Sequence, residues 1–177
     1  NKKDYLNQNK KLVVLEVANN HQGDVEHALN LINEYHNIVK NYTKNFNFAF
    51  KFQFRDLKTF IHESYIDSDI KYVRRFLDTE LDSSEWKKIL ETVNNYGYIN
   101  MCTPFDEISV DNDIASNFDI LKIASASLDD WPLIERIGDV KDEIEIIASV
   151  GGSDFEKIKR FYSFMKNKRK RFAINYC

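Results

Sequence analysis

Two lysines sit inside runs that are otherwise apolar: Lys51 in "FKFQF" and Lys122 in "ILKIAS". An unpaired ammonium in a buried strand is costly, so each needs a counter-charge or a polar cavity. Hydroxyls accompany them: Thr103 in "MCTPF", Ser125 and Ser127 in "KIASAS", Ser149 in "IIASVGG". Two ammonium groups ringed by hydroxyl donors make an anion pocket, with the lysines acting as point charges. A phosphate together with a carboxylate would neutralise both. Glu16 ends the run "LVVLEVA", and the polar turn "NNHQGD" follows it. Gln53 lies two residues beyond Lys51, on the same strand face.

Each of these residues also has a plain structural role open to it. A single strand lysine often snorkels at a sheet rim, and a strand-end hydroxyl often bonds local backbone. Glu16 could be a rim carboxylate paired with a lysine, and His21 a turn residue bonding its own loop. The recurrence of such residues on different strands favours a site. Other chemistries lack a pattern. Cys102 and Cys177 form no disulfide framework and read as small buried apolar residues. No CxxC, HExxH or triad spacing occurs. Of the histidines, His21 sits in a turn, His27 and His36 lie about two and a half turns apart on one helix, and His62 falls in an insertion. No pair among them is placed to chelate a metal.

The elements that must position these side chains alternate along the chain. Apolar strand-like runs cover 12–17, 48–54, 98–103, 119–124, 144–149 and 171–176, with helical patterns between them. In "FNFAFKFQF" the alternation puts Phe46, Phe48, Phe50, Phe52 and Phe54 on one face, and Lys51 and Gln53 on the other. Asp24 is a candidate N-cap, Asp82 and Glu85 have capping-box spacing, Gly97 marks a stop, Pro132 opens a helix, and Ser153 is a candidate cap. A longer insertion runs from Arg55 to about Leu81 and holds a short helix around 70–76. The stretch 106–117 is read as another short helix.

Six βα-type units in series predict a parallel sheet. A doubly wound sheet usually carries a Gly-rich turn after its first strand, and "ANNHQGD" has a single Gly. Polar residues at the C-terminal ends of nearly all strands fit a (β/α)8 TIM barrel better. The reading is therefore one α/β domain over 1–177, a partial barrel of about six units, with strands seven and eight expected outside the chain. Unpaired edges at the first and sixth strands would make such a piece marginal alone.

Net charge is −3, with 25 basic against 28 acidic residues, which gives no electrostatic case for nucleic acid or an anionic membrane. No apolar run approaches the roughly 20 residues of a membrane helix. The basic run "KNKRKR" reads as a solvated helix end. A reducing cytoplasm is the expected compartment.

Five segments, "LEVANNHQGD", "FKFQF", "MCTPFDEISVD", "LKIASASLDDWPLIERI" and "IIASVGGS", occur in an order and spacing that resembles the N-terminal barrel of the N-acetylneuraminate synthase family. The family pattern is roughly AEIGxNHNGD, VKFQ, STPFD, KIASG(D/E) with PLL, LSTGM and LLHC. The resemblance spans about Leu12 to Cys177. It implies condensation of phosphoenolpyruvate with an N-acylated amino-hexose to give a sialic-acid-like nonulosonic acid, as part of polysaccharide biosynthesis. It implies a divalent metal, Mn or Mg, with ligands outside this chain, and a homodimer. By motif, Glu16 lies near the reacting carbons, with Lys51 and Lys122 as its catalytic companions. Lys51, Thr103, Lys122, Ser125 and Ser149 hold phosphoenolpyruvate, and Gln53 and Ser127 fall on the sugar side. The sequence departs from the pattern at four places. Ser127 stands where a carboxylate is usual, Ala18 replaces the Gly of EIG, Val150 the Thr of STG, and Tyr176 the His of LLHC. Two alternatives follow: another 2-keto-3-deoxy acid synthase or aldolase, or a non-catalytic sugar-binding barrel. The 177 residues by themselves are expected to be inactive, which phosphate release from phosphoenolpyruvate would check.

Overall fold

The computed structural model describes residues 5–6, 10–111 and 117–176. Part of the expected 106–117 helix, and Cys177, lie outside them. Six strands form one parallel sheet: β1 (Lys11–Ala18), β2 (Phe46–Phe54), β3 (Ile99–Pro104), β4 (Ile120–Ile123), β5 (Glu145–Ser149) and β6 (Phe172–Asn175). The helices are α1 (Val25–Val39), α2 (Leu57–Phe60), α3 (Lys71–Asp78), α4 (Ser83–Asn95), α5 (Glu107–Asp111), α6 (Trp131–Gly138) and α7 (Phe155–Asn167). Among the described residues no helix is long and apolar enough to cross a membrane.

The strands pair in chain order, β1 to β6. A doubly wound sheet reverses its order part-way. A monotonic order with right-handed crossovers puts the crossover helices on one face, and the twisted sheet curls away from them as a barrel wall. The fold is that of a (β/α)8 barrel, with six of its units described.

Two apolar layers result. The outer one lies between strands and helices and includes Phe50, Phe52, Trp86, Ile123, Leu133 and Phe161. The inner one fills the barrel with Ala49, Ile99, Met101, Ile120 and Ile147, backed by Tyr5, Leu6 and Leu12. The alternation of β2 is what divides them: Phe48, Phe50, Phe52 and Phe54 face the helices, and Ala49 faces inward. Each fully buried Phe contributes about 2–3 kcal/mol of transfer free energy. The inner layer ends one step along the strands, where Lys51 follows Ala49 on the same face.

Helix starts follow local chemistry. The Asp24 carboxylate accepts from the His27 N–H, and Asp82 with Glu85 forms a full capping box. Pro132 occupies the first turn of α6. The expected cap of α7 is corrected: Asp154, not Ser153, accepts from the Lys157 N–H. The Ser153 N–H is bonded to the Val150 carbonyl, so the chain is still in its turn at Ser153.

Candidate functional site

Lys51 is buried on the inward face of β2. Its Nζ lies 2.6 Å from Oε2 of Glu16 and donates to Oγ1 of Thr103 at 3.4 Å. An ammonium has three N–H donors; the third has no partner among the described residues. Glu16 and Lys51 are register neighbours on β1 and β2, and Thr103 lies opposite Gln53 on β3. The Glu16 carboxylate is about half exposed, with 49% of its side chain accessible. It can therefore accept from Lys51 and still face solvent.

The end of β1 is irregular. Glu16 pairs with Lys51, but Ala18 pairs with Phe52, so Val17 is the extra residue of a bulge. Bulges re-aim side chains at barrel rims. Ala18 has φ 49°, in the left-handed region where a Cβ is unfavourable. The turn closes through Gly23 at φ 73°, and a Cβ there would stand 2.5 Å from the Asp78 carbonyl oxygen. His21 is the loop-bonding turn residue: its Nδ1 accepts from the Gly23 N–H, and its ring meets Trp86 edge-on.

Lys122 is half-buried on β4, and Ser149 is buried at the end of β5. Lys122 lies opposite Ile147 and Ser149 opposite Asn175, so the register keeps both on the inward face. Ser125 and Ser127 are corrected from strand-end positions to a 3-10 turn, Ser125–Ser127, beyond β4. The turn forms because the Ser127 N–H bonds back to the Ala124 carbonyl. It separates the two hydroxyls, leaving Ser125 exposed and Ser127 buried. The acids after Ser127 have other work. Asp129 pairs with Lys157 of α7, and Asp130 caps α6 by accepting from the Leu133 N–H.

Gln53 faces a different neighbour. Its Oε1 accepts from Nη2 of Arg55 at 3.1 Å. The Arg55 guanidinium lies 4.2 Å from the Phe76 ring centre, 4.0 Å from that of Phe105 and 5.5 Å from that of Phe60. Burial lowers its pKa to about 10, against the opposing pull of Asp106, so it stays charged at neutral pH. Gln53 and Arg55 both line a cavity of about 310 Å³ between the β2 end, the 55–81 insertion and α4. The cavity is distinct in lining from the Lys51 cluster; Asn19, Thr79 and Trp86 also border it. Sequence reasoning does not single out Arg55. Its one signal is a charge two residues past Gln53, on the same parity as Lys51.

The residues present do not fit the divalent ion that the resemblance implies. Among the described residues no group of three or more His, Cys, Asp or Glu converges. His21 is held in its loop. His36 stacks on Tyr96 and bonds the Tyr98 hydroxyl, and His62 bonds Ser64. Cys102 points outward into the helix layer, where burial pushes its thiol pKa well up.

A protein-family model, that of the NeuB family, matches residues 38–177. The chain belongs to the NeuB family. Solved structures agree. A spore coat polysaccharide biosynthesis protein E of Chromobacterium violaceum superposes with a TM-score of 0.88 at 41% identity, over 95% of this chain and 49% of that one. An N-acetylneuraminic acid synthetase of Leptospira borgpetersenii, solved with citrate, gives 0.77 at 25% identity, over 96% and 54%. A truncated 3-deoxy-D-arabino-heptulosonate 7-phosphate synthase of Thermotoga maritima shares the fold alone, at 0.61 and 10% identity, over 93% and 50%. This NeuB-family chain thus spans about half the length of the proteins it resembles.

Proposed function

We propose that the protein carrying this chain condenses phosphoenolpyruvate with an N-acylated amino-hexose, forming a sialic-acid-like nonulosonic acid for a surface polysaccharide. Family membership supports a synthase of this kind, as do the two relatives named for polysaccharide and sialic acid synthesis. The observation that carries the reading is the Lys51 ammonium, buried between Glu16 and Thr103 at the C-terminal ends of parallel strands. Barrel enzymes place their chemistry at that end.

In the proposed reaction the enol carbon of phosphoenolpyruvate bonds to the sugar aldehyde carbon, water adds at the carbon bearing phosphate, and inorganic phosphate leaves. Lys51 and Lys122 hold the anion, and the Thr103, Ser125 and Ser149 hydroxyls donate to its oxygens. Ser127 and Gln53 lie on the sugar side. Glu16, already bonded to one ammonium, sits beside the forming bond and accepts a proton or orients water there. A homodimer working in the cytoplasm belongs to the same proposal.

One observation favours a second reading, a sugar-binding barrel without turnover. Ser127 offers no carboxylate, and Asp129 and Asp130 are bound elsewhere. Calorimetry decides the first step. Lys51→Met and Lys122→Met should each abolish phosphoenolpyruvate binding in the full-length protein. Unchanged binding in both would overturn the assignment.

A further inference from the structure

Position 53 offers an amide, which can present either its oxygen or its NH2 group. Which one faces a ligand decides what that ligand must carry. The neighbouring Arg55 settles the question chemically. A guanidinium has five donors and no acceptor, so the Gln53 atom at 3.1 Å from Nη2 must be the carbonyl oxygen. The NH2 group is then turned the other way, and Nε2 has no hydrogen-bond partner among the described residues. We infer that Arg55 is a positioning residue: it fixes the Gln53 amide with its NH2 group toward the bound substrate, so that position 53 recognises an acceptor oxygen.

Arg55 can do this because it is itself held. Phe76 and Phe105 lie close to its guanidinium, with Phe60 further out. Such rings attract the cation through their faces and restrict its plane. Phe60 and Phe76 come from α2 and α3 of the insertion, while Phe105 follows β3. Among the described residues the Arg55 Nε is buried without a hydrogen-bond partner, so none of them dictates its orientation through a carboxylate fork. Asp106 holds the charge from nearby while its two oxygens accept from the N–H groups of Asp56 and Ser109. The 55–81 insertion therefore supplies two of the three rings that hold this guanidinium. On the sugar substrate proposed above, on which this inference rests for its ligand, acceptor oxygens are the hydroxyls and the acyl carbonyl.

Two measurements on the full-length protein test this. The first needs no ligand. The Gln53 side-chain amide, assigned by its loss in Gln53→Leu, should have a high NMR order parameter in the parent and in Arg55→Lys, and a lower one in Arg55→Met. An unchanged value in Arg55→Met overturns the inference. The second follows phosphate release with phosphoenolpyruvate, Mn²⁺ and N-acetylmannosamine. Arg55→Met should raise the KM for the sugar by up to about tenfold, the size of the one neutral hydrogen bond that a turned Gln53 amide no longer makes, with kcat within about twofold. In a Gln53→Ala background the same substitution should change nothing further. Additive effects would mean that Arg55 does not act through Gln53, and overturn it. An ordered amide in a protein that binds phosphoenolpyruvate but ignores the sugar would uphold the role of Arg55 and refute the substrate instead.

Discussion

Glu16, Lys51 and Thr103 show how far single residues can be read without coordinates. The strand alternation around Lys51 requires an inward ammonium, and an inward ammonium requires a partner. Glu16 supplies it at 2.6 Å. Ser125 and Ser127 resisted the same reasoning, because a 3-10 turn has no period-two pattern to betray it. Arg55 was hidden for another reason: its ring neighbours come from three separate segments, and no local spacing connects them. His21 belongs to this scale too. Burial and the neighbouring His27 lower its pKa from 6.5 to about 4. Below pH 6.5 the unfolded chain binds a proton that the folded chain refuses until about pH 4. The stabilisation is complete above pH 6.5 and is lost as pH falls toward 4, by on the order of 3 kcal/mol. His21→Asn should flatten that part of the slope, since an Asn oxygen can still accept from the Gly23 N–H. Denaturant melts of both proteins at pH 7 and pH 4.5 measure it, and equal slopes would show that His21 does not titrate there.

At the scale of elements, strands and helices were largely legible, because β2, α1 and α4 carry clear apolar periods and α1 and α4 carry caps. The bulge at the end of β1 was not, since one extra residue leaves no mark in a run as apolar as "LVVLEVA". It has an energetic consequence. Ala18 is held at φ 49°, where Gly is free of the Cβ clash. Ala18→Gly should therefore stabilise the protein by about 1 kcal/mol despite the added freedom of the unfolded chain. Five residues further along the same turn, at Gly23, the sign reverses. A methyl group would meet the Asp78 carbonyl, and Gly23→Ala should destabilise by roughly 2 kcal/mol. Thermal unfolding of the two variants, side by side, checks both. If Ala18→Gly lowers the melting temperature, the left-handed backbone there is not a source of strain.

On the scale of the whole molecule, the monotonic strand order is what the unit count anticipated, and the inner apolar layer follows from it. The seating of Tyr5 was not anticipated, because "NKKDYLNQNK" reads as a polar lead-in. Yet the Tyr5 N–H donates to Glu145 at 2.9 Å across 140 residues of chain, and its hydroxyl donates to Asp119 at 3.2 Å. Glu145 is fully buried and also pairs with Arg171. These contacts floor the barrel beneath the inner layer. They also set an order of assembly. Each strand from β2 onward finds its partner already made, as the strand before it, so the sheet can grow in the direction of synthesis with short closures. The floor cannot. It waits for β5, so the segment around Tyr5, made before β1, is seated only after five strands have followed it. Pulse-labelled hydrogen exchange during refolding should show the Tyr5 amide gaining protection after those of β2 and β3. Until then the inner face of the growing wall stays open from below, and a chain stalled before β5 would expose Ala49, Ile99 and Met101 to whatever holds nascent chains.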